Sequence, residues 1–217
     1  MKKMICCFFI LIMMTISSIG CGSKTEEPVL PPTRLGTKGT SSASLEREYG
    51  FESAFSEADF VAHIKVGNWL AENTEIMSTY YEAQVVHQYK GDETKDFILI
   101  QDGDSEFTLE GYPLFTYGNE LLVFCKRAVD VEYTDAYWII GSFTTVMDAV
   151  TAKSGEVYFM DRYGMLGDRS KKLINYKSQQ PELRSMAEKN DSIVSDMDYA
   201  YPYVFSVSDV EAFAVDQ

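Results

Sequence analysis

A mainly β domain is what this sequence predicts, and three observations carry the prediction. Seven short runs rich in β-branched and aromatic residues recur between residues 59 and 160. Turn formers separate them, and helical spacing is confined to the two ends of the folded part.

Glu48 to Ser56, with Glu57 and Ala58, reads as a short opening helix. DFVAHIKV (59 to 66) is the first strand. In it Phe60, Ala62, Ile64 and Val66 alternate with Val61, His63 and Lys65, so one face turns to a core and the other partly to water. STYYEAQVVHQY (78 to 89), DFILIQ (96 to 101), ELLVFCKR (120 to 127), AYWIIGS (136 to 142), TVMDAVTA (145 to 152) and EVYFM (156 to 160) follow. Lys90-Gly91-Asp92, Gly103-Asp104, Gly111, Gly118-Asn119 and Ser154-Gly155 mark the turns. ELLVFC is apolar on both faces, which suits a strand covered on both sides, one of them by the C-terminal segment.

Past residue 160 the texture changes. Leu183, Met186, Ala187, Asn190, Ile193 and Val194 stand at helical spacing, with Pro181 suited to a first turn. YPYVFSV (201 to 207) reads as extended, and Ser208 with Glu211 three residues on forms a capping-box pattern for a last short helix through Phe213.

The first residues read as an address. Met1-Lys2-Lys3 supplies two positive charges, and MICCFFILIMMTI (4 to 16) follows without a charge, the arrangement of an export signal. That run is too short to span a bilayer, which needs roughly 17 to 25 apolar residues. Ser17, Ser18, Ile19 and Gly20 then lead to Cys21, a seam that resembles the lipobox of bacterial lipoproteins, with cleavage between Gly20 and Cys21 and a diacylglyceryl thioether on Cys21. Ser18 departs from that pattern, where an aliphatic residue is usual. A plain secretory signal and an uncleaved anchor are the alternatives. Residues 21 to 47 read as a disordered tether, rich in proline and poor in large apolar residues; a flexible coil over residues 22 to 44 would reach roughly 25 to 30 Å.

The formal net charge is −14, and it becomes −16 without residues 1 to 20, which hold Lys2 and Lys3 and no acid. Such a balance argues against nucleic acid and anionic lipid as electrostatic partners. Cationic peptides, divalent cations or neutral ligands remain. Of the four cysteines, Cys6 and Cys7 leave with the signal. If Cys21 is acylated, Cys125 has no partner, and within ELLVFCKR it reads as a small buried hydrophobe.

Chemistry is sparse. The two histidines, His63 and His87, would need to lie near each other and near a carboxylate or thiol to bind metal or catalyse. DGDSE (102 to 106) sets Asp102, Asp104 and Glu106 at alternate positions, as in the start of a calcium loop. The rest of that motif fails: Phe107 stands where the turn glycine belongs and Pro113 where the bidentate glutamate belongs. No nucleophile elbow, Walker loop, dinucleotide fingerprint, Cys-x-x-Cys pair or His-Glu-x-x-His is present. Trp69, Tyr112 and Trp138, with Tyr80, Tyr81 and Tyr117, are the candidates to line a ligand-gripping face.

SEADFVAHIKV, YYEAQVVHQYKGD and EGYPLFTYGNELLVFCKR, in that order over roughly residues 52 to 160, resemble a group of bacterial lipoproteins of uncharacterised function. The same order is remotely similar to the netrin-like barrels of the tissue inhibitors of metalloproteinases. The resemblance implies a five-stranded or slightly larger barrel of OB or netrin-like type over residues 48 to 160, with residues 161 to 217 packed on it as a helical extension. The inhibitors bind protease zinc through a disulfide-clamped N-terminal cysteine. Cys21 has no such clamp, so that mechanism is not carried over.

The expectation is an exported protein held to the cell membrane by lipid on Cys21, facing outside the cytoplasm, without a cofactor or metal. Its domain would be a non-catalytic acidic binding module for an envelope protein or small ligand. An accessory or regulatory subunit of an envelope complex is the alternative. An enzyme is the third reading and would need Asp102, Asp104 and His63 or His87 gathered in one cleft.

Overall fold

The structure is a computed structural model and describes residues 27–41, 47–109, 112–168, 172–189 and 201–216. A short strand β1 (Gly39–Ser41) and helix α1 (Phe51–Glu57) come first. Strands β2 (Phe60–Asn73), β3 (Ser78–Lys90), β4 (Asp96–Asp102), β5 (Phe107–Leu109), β6 (Glu120–Arg127), β7 (Ala136–Ile139), β8 (Val146–Thr151) and β9 (Val157–Asp161) follow. Helices α2 (Met165–Asp168) and α3 (Gln180–Lys189), strand β10 (Tyr203–Ser206) and helix α4 (Val207–Val215) complete it.

Five strands close a barrel in the order β2-β3-β4-β7-β6 and back to β2. The β2-β3-β4 meander is antiparallel, β4 and β7 run parallel, and β6 returns antiparallel to β7 and β2. This is the Greek-key connectivity of an OB-type barrel. β6 is the shared strand. One edge pairs wholly with β2, while the other gives Leu121 to Val123 to β8 and Cys125 to Arg127 to β7. From β8 a three-stranded antiparallel wing, β8-β9-β10, extends away from the barrel.

The alternation along β2 explains its burial. Phe60, Ala62, Ile64 and Val66 point into the barrel with Tyr81, Phe97, Leu99, Leu121, Val123 and Cys125. Val61, Leu122 and Phe124 point outward and are buried too, against α1, α4 and the wing. Aromatic edges fill that second layer: Phe51 meets Phe124 at 5.2 Å and Phe213 at 5.4 Å, and Phe55 meets Phe213 at 5.1 Å. Each fully buried phenylalanine contributes about 1.5 to 3 kcal/mol. On the opposite face of the wing, Leu183 and Ala187 of α3 cover Val150, Tyr158 and Met160.

A buried ion pair sits at the root of the wing. Arg162 and Asp148 engage through two hydrogen bonds, each side chain 2% exposed. The Tyr201 hydroxyl donates to Asp148 Oδ2 at 2.9 Å, and the Arg162 guanidinium lies 5.0 Å from the centre of the Tyr112 ring. Beside it the Asp161 carboxylate accepts from the backbone N–H groups of Gly164 and Gly167 at 2.9 and 2.8 Å, fixing the turn into α2. The free edge of β10 is covered: Tyr176 N donates to Val204 O, and the Asn175 amide bridges Val204 N and Pro202 O.

Three expectations need correcting. β2 does not stop at residue 66 but runs to Asn73, because Gly67 admits a bulge there; a Cβ on Gly67 would stand 2.9 Å from that of Glu82. The cap of α4 is Ser206, whose Oγ accepts from Asp209 N at 3.2 Å, two residues before the expected Ser208. The segment expected as a free tether is seated over residues 27–41. Its backbone exchanges hydrogen bonds with Trp69, Ser105, Glu106 and Leu114, and β1 pairs in parallel with β5 (Gly39 with Phe107, Ser41 with Leu109). The reason is backbone pairing: the strap meets open N–H and C=O groups at the barrel rim, which outweighs its poverty in apolar side chains.

Candidate functional site

The outer wall of β3, β4 and β7 carries the candidate site. Strand parity sends Tyr81, Ala83, Phe97 and Leu99 inward, leaving Tyr80, Glu82, Ile98 and Ile100 outward. Tyr80, Ile100 and Trp138 are successive register partners, so their side chains form one line across the three strands. The loop joining β6 to β7 folds over this line: Tyr133 packs its ring 5.2 Å from Tyr80, beside Val131.

Two clefts flank the line. One, of about 460 Å³, lies between the β2–β3 turn and the β6–β7 loop and is lined by Glu72, Glu75, Asp130 and Glu132 with Ile76 and Tyr133. The other, of about 560 Å³, crosses β2, β3 and β4 and is lined by Glu82, Asp96 and Asp135 with Asn68, Gln84 and Tyr117. No Lys or Arg is among the residues lining either cleft. Glu72 Oε2 accepts from Ser105 Oγ at 2.7 Å, whereas its buried Oε1 makes no hydrogen bond within the described residues. Burial, and then the Glu72 charge, push the Tyr81 hydroxyl well above its ordinary range, so it stays a neutral phenol. The loops that shape the clefts hold Met77, Asp130 and Asp135 at φ of 47°, 58° and 55°, a region that Asp enters readily and Met only against strain.

The aromatics nominated from the sequence do not converge. Trp138 belongs to this outer line. Trp69 instead packs against the barrel core, because the Gly67 bulge shifts the parity of β2. Tyr112 is buried at the barrel end against Phe115, Phe143 and Tyr163. Trp69 and Tyr112 are therefore packing residues, and a shared face of Trp69, Tyr112 and Trp138 does not exist. Tyr133 and the flanking acids were missed; the alternation of acid and large side chains in VDVEYTD, residues 129 to 135, is the signal that could have found them.

His63 and His87 are register partners on β2 and β3, closer than two lone strand histidines need be. His63 Nε2 lies 3.1 Å from Glu120 Oε2, and His87 Nε2 lies 3.8 Å from Glu211 Oε1. The His63 hydrogen bond holds the Glu120 carboxyl below its usual range, against the opposing effect of burial. Among the described residues no group of three or more His, Cys, Asp or Glu side chains could hold a metal ion. Asp102 pairs with Ser78 at the far end of β3, nine residues or about 30 Å of extended strand from His87. Asp104 is a turn cap, its Oδ1 accepting from Glu106 N and Phe107 N, both at 2.8 Å. Asp102 and Asp104 therefore do not meet either histidine in one cleft.

Cys125 is fully buried in the barrel wall, and burial pushes its thiol far above the ordinary value. Gly20 and Cys21 lie outside the described residues. No helix among the described residues is long and apolar enough to cross a membrane. The chain matches no protein-family model, and no curated protein matches it.

Proposed function

We propose that this protein is exported, held to the cell membrane by lipid on Cys21, and presents its barrel as a non-catalytic binding module outside the cytoplasm for a cationic ligand such as a lysine- or arginine-rich peptide segment. The single observation that carries the reading is the pair of clefts on one barrel wall, lined by seven carboxylates, of which Asp135 is paired with Arg127 at 3.3 Å from outside the lining. OB-type barrels use the equivalent wall and the loops beside it to grip extended ligands. Here the sign of charge selects against nucleic acid and for an N–H donor, and the exposed carboxylates Glu75 and Glu132 are acceptors for it. Tyr133 and Trp138, both partly exposed, give the same wall faces over which a guanidinium or ammonium can lie.

The test is fluorescence anisotropy with labelled peptides of equal length, lysine-rich, neutral and glutamate-rich. Saturable binding of the lysine-rich peptide, weakening as salt rises, is expected. Equal affinity for all three, or none for any, overturns the reading. The address has its own test: Cys21→Ala is expected to move the protein from the membrane fraction to the soluble one.

A further inference from the structure

We propose that the barrel end bearing Val29, Leu30 and Tyr117 rests on the lipid surface that holds the anchor. The inference rests on the lipid-anchor reading of Cys21 and adds an orientation to it. Its starting point is where the seated strap begins. Val29 N donates to Asn68 Oδ1 at 3.0 Å, and Trp69 N donates to Val29 O at 2.9 Å, so Val29 is pinned beside the Gly67 bulge. From Cys21 to Glu27 is a step of six residues. At about 3.3 to 3.6 Å per residue the chain can span no more than roughly 20 Å between the acylated sulfur's backbone and the strap. A domain on so short a leash cannot turn every side to the membrane; the side nearest the strap's start faces it.

That side presents three exposed apolar or amphipathic side chains, with Glu27 and Asn119 among their neighbours. Val29, Leu30 and Tyr117 are 49, 54 and 47% exposed. Leu30 and Tyr117 line one groove, between the strap at Glu27 and Pro28 and the turn at Thr116 to Asn119. A tyrosine with leucine and valine suits the headgroup boundary, where an apolar body and a polar tip are both satisfied. The leash holds this patch at high effective concentration over the bilayer, so a contact too weak to recruit a free protein is enough to orient an anchored one. Tyr117 also lines the cleft of Glu82, Asp96 and Asp135, so that cleft opens beside the membrane-facing end and takes its ligand from the flank.

Single Leu30→Cys, Tyr117→Cys and Ile174→Cys variants of the lipidated protein, labelled with an environment-sensitive fluorophore, test the orientation on phosphatidylcholine vesicles containing nitroxide-labelled lipid. Cys125 is buried and unreactive, so the label goes to the new thiol. Ile174 is 59% exposed and adjoins the covered edge of β10, which β9, β8 and β6 separate from β2, four spacings of about 4.8 Å. Blue-shifted emission and nitroxide quenching at 30 and 117, with neither at 174, are expected. Water-like emission at all three positions, in protein that still floats with the vesicles, overturns the orientation and leaves the anchor standing. Protein that does not float with vesicles, together with an unchanged membrane fraction for Cys21→Ala in cells, removes the anchor and the orientation with it.

Discussion

Asp148 and Arg162 face each other inside the protein with 2% of either side chain exposed, the one fully enclosed ion pair among the described residues. Tyr201 and Tyr112 complete their surroundings. Burying two charges is costly, and removing one partner leaves the other uncompensated. Arg162→Met is expected to destabilise by about 3 to 5 kcal/mol, and Arg162→Met with Asp148→Leu to recover much of that loss. Urea unfolding of both variants measures it; a double variant as weak as the single one refutes the account.

Asp161 gives stability a pH dependence of unusual sign. Burial raises its carboxyl from 3.8 to about 6, against the opposing effect of the backbone N–H groups of Gly167 and Gly164. The folded state thus keeps the proton at a pH where the unfolded chain has lost it. The group's contribution is full below about pH 4 and is lost as pH rises through about 6, by up to about 3 kcal/mol. The difference in unfolding free energy between wild type and Asp161→Asn, followed from pH 4 to 7, is expected to move against wild type with rising pH. A flat difference contradicts it.

The acidic clefts predict a separation of binding from stability. Glu75 and Glu132 are exposed on opposite sides of the smaller cleft. Glu75→Lys with Glu132→Lys is expected to lower affinity for a lysine-rich peptide at least tenfold, about 1.4 kcal/mol or more, while the melting temperature stays within the small range typical of surface changes. Unchanged affinity places the ligand elsewhere.

Asn68 is the peg of the strap. Its Oδ1 accepts from Val29 N and its Nδ2 donates to Glu82 Oε2 at 2.9 Å. Asn68→Ala is expected to cost about 1 kcal/mol and to speed trypsin cleavage after Arg34 and Lys38, read by mass spectrometry. Cleavage at the wild-type rate means the peg is dispensable.

Cys125 serves as a reporter of opening. Its thiol is buried and pushed far up, so a disulfide reagent reaches it only when the barrel opens. Labelling is expected to follow global unfolding in rising urea; rapid labelling in buffer shows local opening of β6 instead.

The strands of the barrel were legible because their alternation is a local property. Phe60, Ala62, Ile64 and Val66 show in sequence the face they bury in space, and ELLVFC shows a strand covered twice. Pairing was not legible. Nothing in β6 says that its outer edge divides between β7 and β8, since that is settled by strands distant in the chain. β1 and β5 are three residues each and are held through the backbone, which leaves little side-chain signal. Trp69 was nominated for a ligand face, but the Gly67 bulge inserts a step between Val66 and Trp69 and turns it to the core, which alternation along residues 59 to 66 does not show. The acidic wall was hidden because its carboxylates come from β2, β3, β4 and two loops and meet only when the barrel closes.

The division of β6 also sets an order in time. The β2-β3-β4 meander is made of neighbouring hairpins, so its contacts are local and are expected to form first, whereas closure through β6 and the parallel strand β7 is a long-range event. A chain that folds amino end first has no closed barrel until Ile139 is available, and nowhere to add the wing until β6 is seated. Leu121 to Val123 must then wait with one edge bare for β8. That interval is when this chain is most exposed to wrong strand partners, and when a holding chaperone would have something to grip.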